Sequence, residues 1–189
     1  VKKVDIFKDK FPKLDTEKFI LREIKFNDYK EFYEIYSNDD AVRYQQMKPM
    51  MSLEEAKKAA NFFKSAYKNK KIIRWGITNK GNDNIIGFIT LHSFDKVNFK
   101  ADIGYMLNKN YWDKKIMSEV GKVVIDYGFN EIGLHRIEAN IHPNNIASIN
   151  LSLKLGFRKE GVKKDSIYNM WTEKFEDREI YSIINETNH

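Results

Sequence analysis

The sequence predicts a mixed α/β fold, a sheet of about seven strands with about four helices, on three observations. Runs of strand length alternate along the chain with amphipathic runs of helix length. No internal repeat, low-complexity stretch or Pro/Gly/Ser-rich linker divides them. In 189 residues, 42% are hydrophobic and 14% aromatic, enough apolar material for one core, so a single domain over 1–189 is expected. Helices in a pair, then a meander, then βαβ-like alternation argue for a layered sheet rather than a bundle or a sandwich.

The first strand fits residues 19–25, where FILREIK is bounded by polar residues. Asn27 is placed to cap a helix through about Tyr36. Ser52 and Glu55 form a capping box for a second helix, to about Asn69, with Leu53, Ala56, Ala59, Ala60 and Phe63 on one face. Three strands follow at 72–78, 85–92 and 99–107, separated by the turn signals KGNDN and DKVN. A helix at about 116–130, a strand at 136–142, a helix at 145–155 ended by Gly156, and strands near 157–162 and 178–185 complete the pattern.

Cysteine is absent, which excludes disulfides, thiolate metal sites and a cysteine nucleophile. No apolar run reaches the length of a membrane span, and residues 1–12 (VKKVDIFKDKFP) alternate charge with apolar groups too closely for a signal-peptide core. A cytoplasmic protein with no membrane partner is expected. The 33 basic residues exceed the 27 acidic ones, for a net charge of +6, and such a chain attracts phosphate, RNA or acidic surfaces. Only six of the basic residues are Arg, the side chain suited to bidentate phosphate and base contacts, and no basic run stands out. Nucleic acid is therefore not the expected partner.

The segments IGYMLNKNYWDKKIMSEVGKVVIDYGF (103–129) and GLHRIEANIHPNNIASINLSLKLGFRKEGV (133–162) resemble the cofactor half of a GNAT-superfamily acetyltransferase, in particular the ribosomal-protein serine and alanine N-terminal acetyltransferases. LDTEKFILREIKFNDYKEFYEIYSND (14–39) is similar to that family's opening strand and helix, and FEDREIYSII (175–184) to its closing strand. The resemblance implies a GNAT fold, with a mostly antiparallel twisted sheet splayed at the cofactor site. It further implies acetyl-CoA as acetyl donor and a primary amine as acceptor, with a protein or peptide N-terminus ahead of an antibiotic or polyamine. A CoA-binding or protein-interaction module without turnover is the reading outside enzymes. A second copy of the chain is a further candidate partner.

The strand at 99–107 runs into a loop that opens a helix, and a helix N-terminus presents unpaired amides and a positive dipole end suited to a pyrophosphate. By resemblance the cofactor contacts are Met106 and Leu107 at the strand end, Trp112, Lys114, Lys115, Ile116 and Met117 along the loop, and Ser118 and Glu119 in the first helical turn. The glycines usual in the family's loop are missing. Lys115, at one of those positions, is expected either to hold an ordinary negative φ with its side chain turned outward or to set its ammonium against a phosphate.

Acetyl transfer to an amine needs a neutral nucleophile, a donor for the developing oxyanion and a proton source for the departing thiolate. The resemblance implies direct attack in a ternary complex, with a backbone amide near Gly104–Leu107 at the thioester carbonyl. The strand at 136–142 alternates, placing Ile137, Ala139 and Ile141 on one face and Arg136, Glu138, Asn140 and His142 on the other. Glu138 is the candidate base, with an Arg136 ion pair as its structural alternative and His142 as the alternative base. No metal site is expected, since His135 and His142 fall on opposite faces. Asn145 and Ser148 resemble the family's Asn-x-x-Ser, which implies an Asn145 contact to pantetheine and a Ser148 hydroxyl near the sulfur; Asn145 also suits an N-cap. Ser152 stands where many GNAT enzymes have a catalytic Tyr. Tyr44, Met47, Met50, Met51, Tyr168, Met170 and Trp171 are the candidates for lining an acceptor groove.

Overall fold

The computed structural model describes residues 6–186. Residues 1–5 of the N-terminal segment read above, and the last three of the expected domain, lie outside the described residues. Eight strands form one sheet: β1 (Leu14–Asp15), β2 (Phe19–Glu23), β3 (Ile73–Asn79), β4 (Ile85–Asp95), β5 (Lys100–Leu107), β6 (Arg136–Ile141), β7 (Arg158–Asn169) and β8 (Lys174–Ile184). Their order is β1-β2-β3-β4-β5-β6-β8-β7. Every neighbouring pair is antiparallel except β5 and β6. Five helices join them: α1 (Tyr29–Tyr36), α2 (Asp39–Val42), α3 (Leu53–Ala66), α4 (Ile116–Asp126) and α5 (Ile146–Lys154). No helix among the described residues is long and apolar enough to cross a membrane.

Two cores cover the two faces of the sheet. On one face Trp75, Ile77, Ile89, Leu91 and Ile137 pack with Val120 and Val124 of α4. On the other, Phe88 and Met106 meet Phe32 and Ile35 of α1 and Ala56 and Ala60 of α3. Each large side chain so buried contributes about 1.5–3 kcal/mol relative to exposure. The strands therefore carry apolar residues on both faces, which is why β4 reads as a nearly continuous apolar run.

Several elements differ from the sequence expectation. β1 and α2 are two and four residues long, too short to show a period. The two last strands extend further than expected, β7 to Asn169 and β8 back to Lys174. β7 and the first residues of β8 are largely exposed, so no core imposes alternation there, whereas further along β8 Arg178, Tyr181 and Ser182 are buried. Asn27 does not cap α1: a 3₁₀ turn, Phe26–Asp28, precedes it. There the Asp28 carboxylate accepts the Lys25 amide at 2.6 Å and two guanidinium bonds from Arg22 at 2.8 and 2.9 Å. Ser52 caps α3 by accepting the Glu55 amide at 3.3 Å, and Glu55 reaches back to the Met51 amide at 3.2 Å. Leu53, expected on the buried face, is 48% exposed as the first residue of α3, whereas Ala56 in the same turn is buried. α4 passes into a π turn, Tyr127–Ile132, closed by Gly133 at φ 85°.

The sheet opens between β5 and β6. They pair only at Lys100↔Arg136, Ala101↔Ile137 and Asp102↔Glu138. Beyond Asp102, β5 stays bound to β4 as far as Leu107, while β6 follows β8 and leads to α5. From Ile103 to Leu107 the β6-facing amides of β5 have no strand to pair with.

Candidate active site

Two cavities flank this opening, of about 710 Å³ and about 750 Å³. They share Tyr44, Gln45, Tyr105, Met106, Asn145 and Ser148. The first lies between the end of β5, residues 108–115, the start of α4, α5 and α2. The second lies over the sheet face that α1 and α3 partly cover.

Met106, Leu107, Trp112, Lys114, Lys115, Ile116, Met117, Ser118, Asn145 and Ser148 all line the first cavity. Glu119 does not: its carboxylate accepts the Lys18 amide at 3.1 Å on the far side of α4. The loop is held by its own contacts. The Trp112 indole donates to the Leu107 carbonyl at 2.8 Å, and Lys114 Nζ donates to the Asn110 carbonyl at 2.8 Å. The negative φ expected as one alternative for Lys115 is not found. Lys115 has φ 60° and ψ 12° as the N-cap of α4, and Asp113 also has φ 60°. These lysine and aspartate residues adopt the left-handed turn that glycine adopts without strain, at a cost of about 1–2 kcal/mol each. The turn leaves the Ile116 and Met117 amides with no acceptor among the described residues, while the Ser118 amide returns to the Lys115 carbonyl at 3.2 Å. Arg43, Lys114, Lys115 and Lys154 line the cavity against Asp40 and Asp113. An electropositive mouth over free helix amides suits a pyrophosphate.

Asn145 caps α5, its Oδ1 accepting the Ser148 amide at 3.2 Å. Ser148 faces both cavities. Ser152 is 2% exposed. Tyr105, which the sequence reading passed over, reaches from β5 toward α5 and donates to the Ser148 carbonyl at 3.3 Å. Burial raises its pKa, and contacts with Ser148 and Ser152 pull the other way without reversing the shift. The only signal in the sequence was complementary: a serine where the helix usually has its tyrosine, and a tyrosine on the facing strand.

Glu138 lies on the sheet face toward the second cavity but does not line either one. It is 9% exposed. Its carboxylate accepts Arg136 Nε at 2.7 Å and Lys100 Nζ at 3.4 Å. Burial pushes its pKa up, but Arg136 and Lys100 outweigh burial and leave it lowered. Asp102, its register partner on β5, does line the second cavity. Burial first, and then the Glu138 charge, raise the Asp102 pKa against Lys100 and Lys163. His142 stacks on Tyr44 with ring centroids 5.0 Å apart, and its Nδ1 accepts the Asn144 amide at 3.1 Å. Burial lowers its pKa despite Glu176 at 3.7 Å.

Of the expected acceptor residues, Tyr44 lines both cavities. Met50 is in the core, with Met47 and Trp171 packed against it. Met51, Tyr168 and Met170 are exposed. Among the described residues no group of three or more His, Cys, Asp and Glu converges as metal ligands do.

Comparison with known proteins agrees with this arrangement. The model of the acetyltransferase (GNAT) domain matches residues 18–158. The uncharacterized N-acetyltransferase YoaA of Bacillus subtilis is 37% identical over 174 residues, covering 92% of this chain and 97% of that protein. The ribosomal-protein-S5-alanine acetyltransferase of Vibrio fischeri superposes with a TM-score of 0.75 at 25% identity, over 93% of this chain and 97% of that one. RimL, a ribosomal L7/L12 alpha-N-protein acetyltransferase solved in complex with coenzyme A, superposes at 0.82 with 17% identity, over 94% and 100%, a likeness of fold. The family match over most of the chain, together with a relative covered almost end to end, shows that this chain belongs to the GNAT family of N-acetyltransferases.

Proposed function

We propose that this protein transfers the acetyl group of acetyl-CoA to the α-amine of a protein or peptide N-terminus, by direct attack in a ternary complex. The observation that carries the reading is the opening between β5 and β6, where a cavity fit for a pyrophosphate and pantetheine meets a second, polar cavity through shared walls. The chemistry of the first cavity fits the donor. Amides of Ile116 and Met117 and the side chains of Lys114 and Lys115 take the phosphates, Asn145 and the unpaired edge of β5 take the pantetheine, and the thioester supplies the acetyl group.

The acceptor enters from the second cavity. Its nitrogen forms a bond to the acetyl carbon as the carbon–sulfur bond breaks, and a β5 amide beyond Asp102 holds the carbonyl oxygen as charge develops there. The nitrogen's proton passes through water to Asp102, whose raised pKa makes it a better acceptor than an ordinary carboxylate. Glu138 supports Asp102 from behind, and Tyr105 and Ser148 solvate the departing sulfur. An α-amine has a pKa of about 8, so a modest base suffices, whereas a lysine side chain at about 10.4 demands far more. The likeness to an S5-alanine acetyltransferase supports the same acceptor class.

A panel of peptides with free N-termini, incubated with acetyl-CoA and read by mass, tests the proposal against lysine side chains, polyamines and aminoglycosides. Acetylation confined to small amines would overturn the N-terminal assignment.

A further inference from the structure

The second cavity holds a cation without a counter-ion. Arg74 on β3 lines it. Its Nη2 donates to the Tyr36 hydroxyl at 2.7 Å, and its guanidinium carbon sits 3.9 Å from the centroid of the Phe63 ring. Its Nε is buried without a partner, as is the hydroxyl of Thr90, its register partner on β4. Thr90 is 6% exposed and lines the same cavity. No carboxylate lies within 4.0 Å of Arg74 among the described residues. The other buried or half-buried arginines contrast with it: Arg22, Arg136 and Arg178 hold Asp28, Glu138 and Glu176 at 2.8, 2.7 and 3.2 Å. Stacking on aromatic faces offsets part of the cost of a desolvated cation, but a carboxylate is the partner that satisfies the charge and the free N–H together.

Register places this cation relative to the reaction. Arg74, Thr90 and Gly104 are partners across β3, β4 and β5, one row on the face toward α1 and α3. Gly104 stands at the sheet opening, and a Cβ added there would meet only His92 Nε2, at 3.6 Å. The space directly above Gly104 is therefore bounded only by His92, and Thr90 lies between it and Arg74 in the cavity wall. Two strand spacings, each about 4.8 Å, separate the Gly104 and Arg74 backbones, and an extended peptide rises about 3.3 Å per residue. That span fits a side chain at the second or third residue of an N-terminus whose amine lies at the opening.

We propose that Arg74, with Thr90, forms an anion subsite in the acceptor cavity, so that the preferred acceptor is an N-terminus carrying Asp or Glu at its second or third residue. The proposal rests on the acceptor occupying this cavity, as in the function proposed above. Its chemistry is a carboxylate paired to a guanidinium and bonded by a threonine hydroxyl. Lys163, also in the wall, adds positive potential, whereas Asp102 marks the amine end.

The test compares matched peptides with Asp or Asn, and Glu or Gln, at positions two and three, using kcat/KM for the wild type, Arg74→Gln and Arg74→Lys. A charge-assisted pair of this kind corresponds to about tenfold or more in favour of the acidic peptide. That ratio should collapse toward one in Arg74→Gln, survive in part in Arg74→Lys, and shrink with added salt in the wild type. Equal rates for acidic and amide peptides in the wild type, or a ratio undiminished in Arg74→Gln, would overturn the subsite. The wild-type ratio and Arg74→Lys decide the matter should Arg74→Gln fail to fold. Calorimetric binding of the same peptides, and of small amines with and without a carboxylate, to the CoA-loaded protein separates the two proposals. Arg74-dependent binding of acidic small amines with no peptide acetylation removes the N-terminal reading and keeps the subsite. Peptide acetylation indifferent to acidic residues does the reverse, and absence of any charge-dependent binding removes the subsite.

Discussion

The phenol of Tyr105 on β5 donates to the carbonyl oxygen of Ser148 on α5 at 3.3 Å, bridging the two walls of the sheet opening. A tyrosine hydroxyl thus occupies the region left by Ser152, but it arrives from the strand instead of the helix. Burial keeps the phenol protonated. A thiol has a pKa of about 8.5, below that of this phenol, so in the proposed reaction Tyr105 serves a departing thiolate as a hydrogen-bond donor, its O–H turning from the Ser148 carbonyl to the sulfur, rather than by giving up its proton outright.

Tyr105→Phe should therefore lower kcat by about 10- to 100-fold with little change in acetyl-CoA affinity, since the bond strengthens as charge develops on sulfur. Ser148→Ala should lower kcat by a similar factor, and the double variant should cost less than the product of the two. Steady-state kinetics with calorimetric acetyl-CoA binding measure all three. Full turnover in Tyr105→Phe would reduce the phenol to a packing group.

Lys115→Gly should stabilise the protein, by about 1 kcal/mol or less, because it removes left-handed strain while adding freedom to the unfolded chain. Acetyl-CoA affinity should change only modestly: the ammonium is lost, but the amides of Ile116 and Met117 remain. Thermal unfolding and calorimetry check both parts. A clear loss of stability would mean that the Lys115 side chain contributes contacts outweighing its strain.

Most of the sheet was legible because β3 and β4 are nearly continuous runs of strand-forming apolar residues, β6 alternates, α4 is amphipathic and Gly156 stops α5, with φ 93°. The turn end of β7 and β8 was harder to bound, since β7 and the first residues of β8 are exposed and obey no burial pattern. The conformation of residues 108–115 was not legible: nothing in the letters at Asp113 and Lys115 announces a positive φ. Glu138 was correctly placed on the polar face of β6, yet which carboxylate meets solvent depends on Arg136 and Lys100 closing over one of them. Arg74 and Tyr105 did not stand out in the sequence because cross-strand register, not local sequence, brings them to the second cavity.

The Arg136 cluster should shape acid stability. The Glu160 carboxylate, bonded by the Arg136 guanidinium and then by the Ser182 hydroxyl, has its pKa pushed down to about 2. A carboxylate whose folded pKa lies below its unfolded value stabilises above the unfolded value and loses that contribution as pH falls through the folded one. Stability should thus decline between about pH 4.3 and pH 2, and Glu160→Gln should flatten that decline. Because Glu160 is exposed, solvent screens its ion pair and the difference should be no more than about 1 kcal/mol. Urea unfolding from pH 5 to pH 2 measures it, and parallel curves for the two proteins would place the acid sensitivity elsewhere.

The division of labour between Asp102 and Glu138 gives the last prediction. A base must be ionised to accept a proton, so kcat/KM should fall on the acid side with the pKa of the group that accepts it. If that group is Asp102, Asp102→Asn should remove most activity at neutral pH and abolish the acid limb. Glu138→Gln acts differently. The Glu138 charge raises the Asp102 pKa, opposed by Lys100 and Lys163, and removing it also leaves Arg136 and Lys100 less neutralised. Both changes favour the ionised form of Asp102, so the acid limb in Glu138→Gln should move to lower pH while its shape is kept. The plateau should fall modestly, because a carboxylate of lower pKa is a weaker base. Profiles of kcat/KM from pH 5 to pH 9 with one N-terminal peptide, for the wild type and both variants, decide the assignment. An acid limb that survives in Asp102→Asn but vanishes in Glu138→Gln would make Glu138 the proton acceptor itself and require its ion pair with Arg136 to open during turnover.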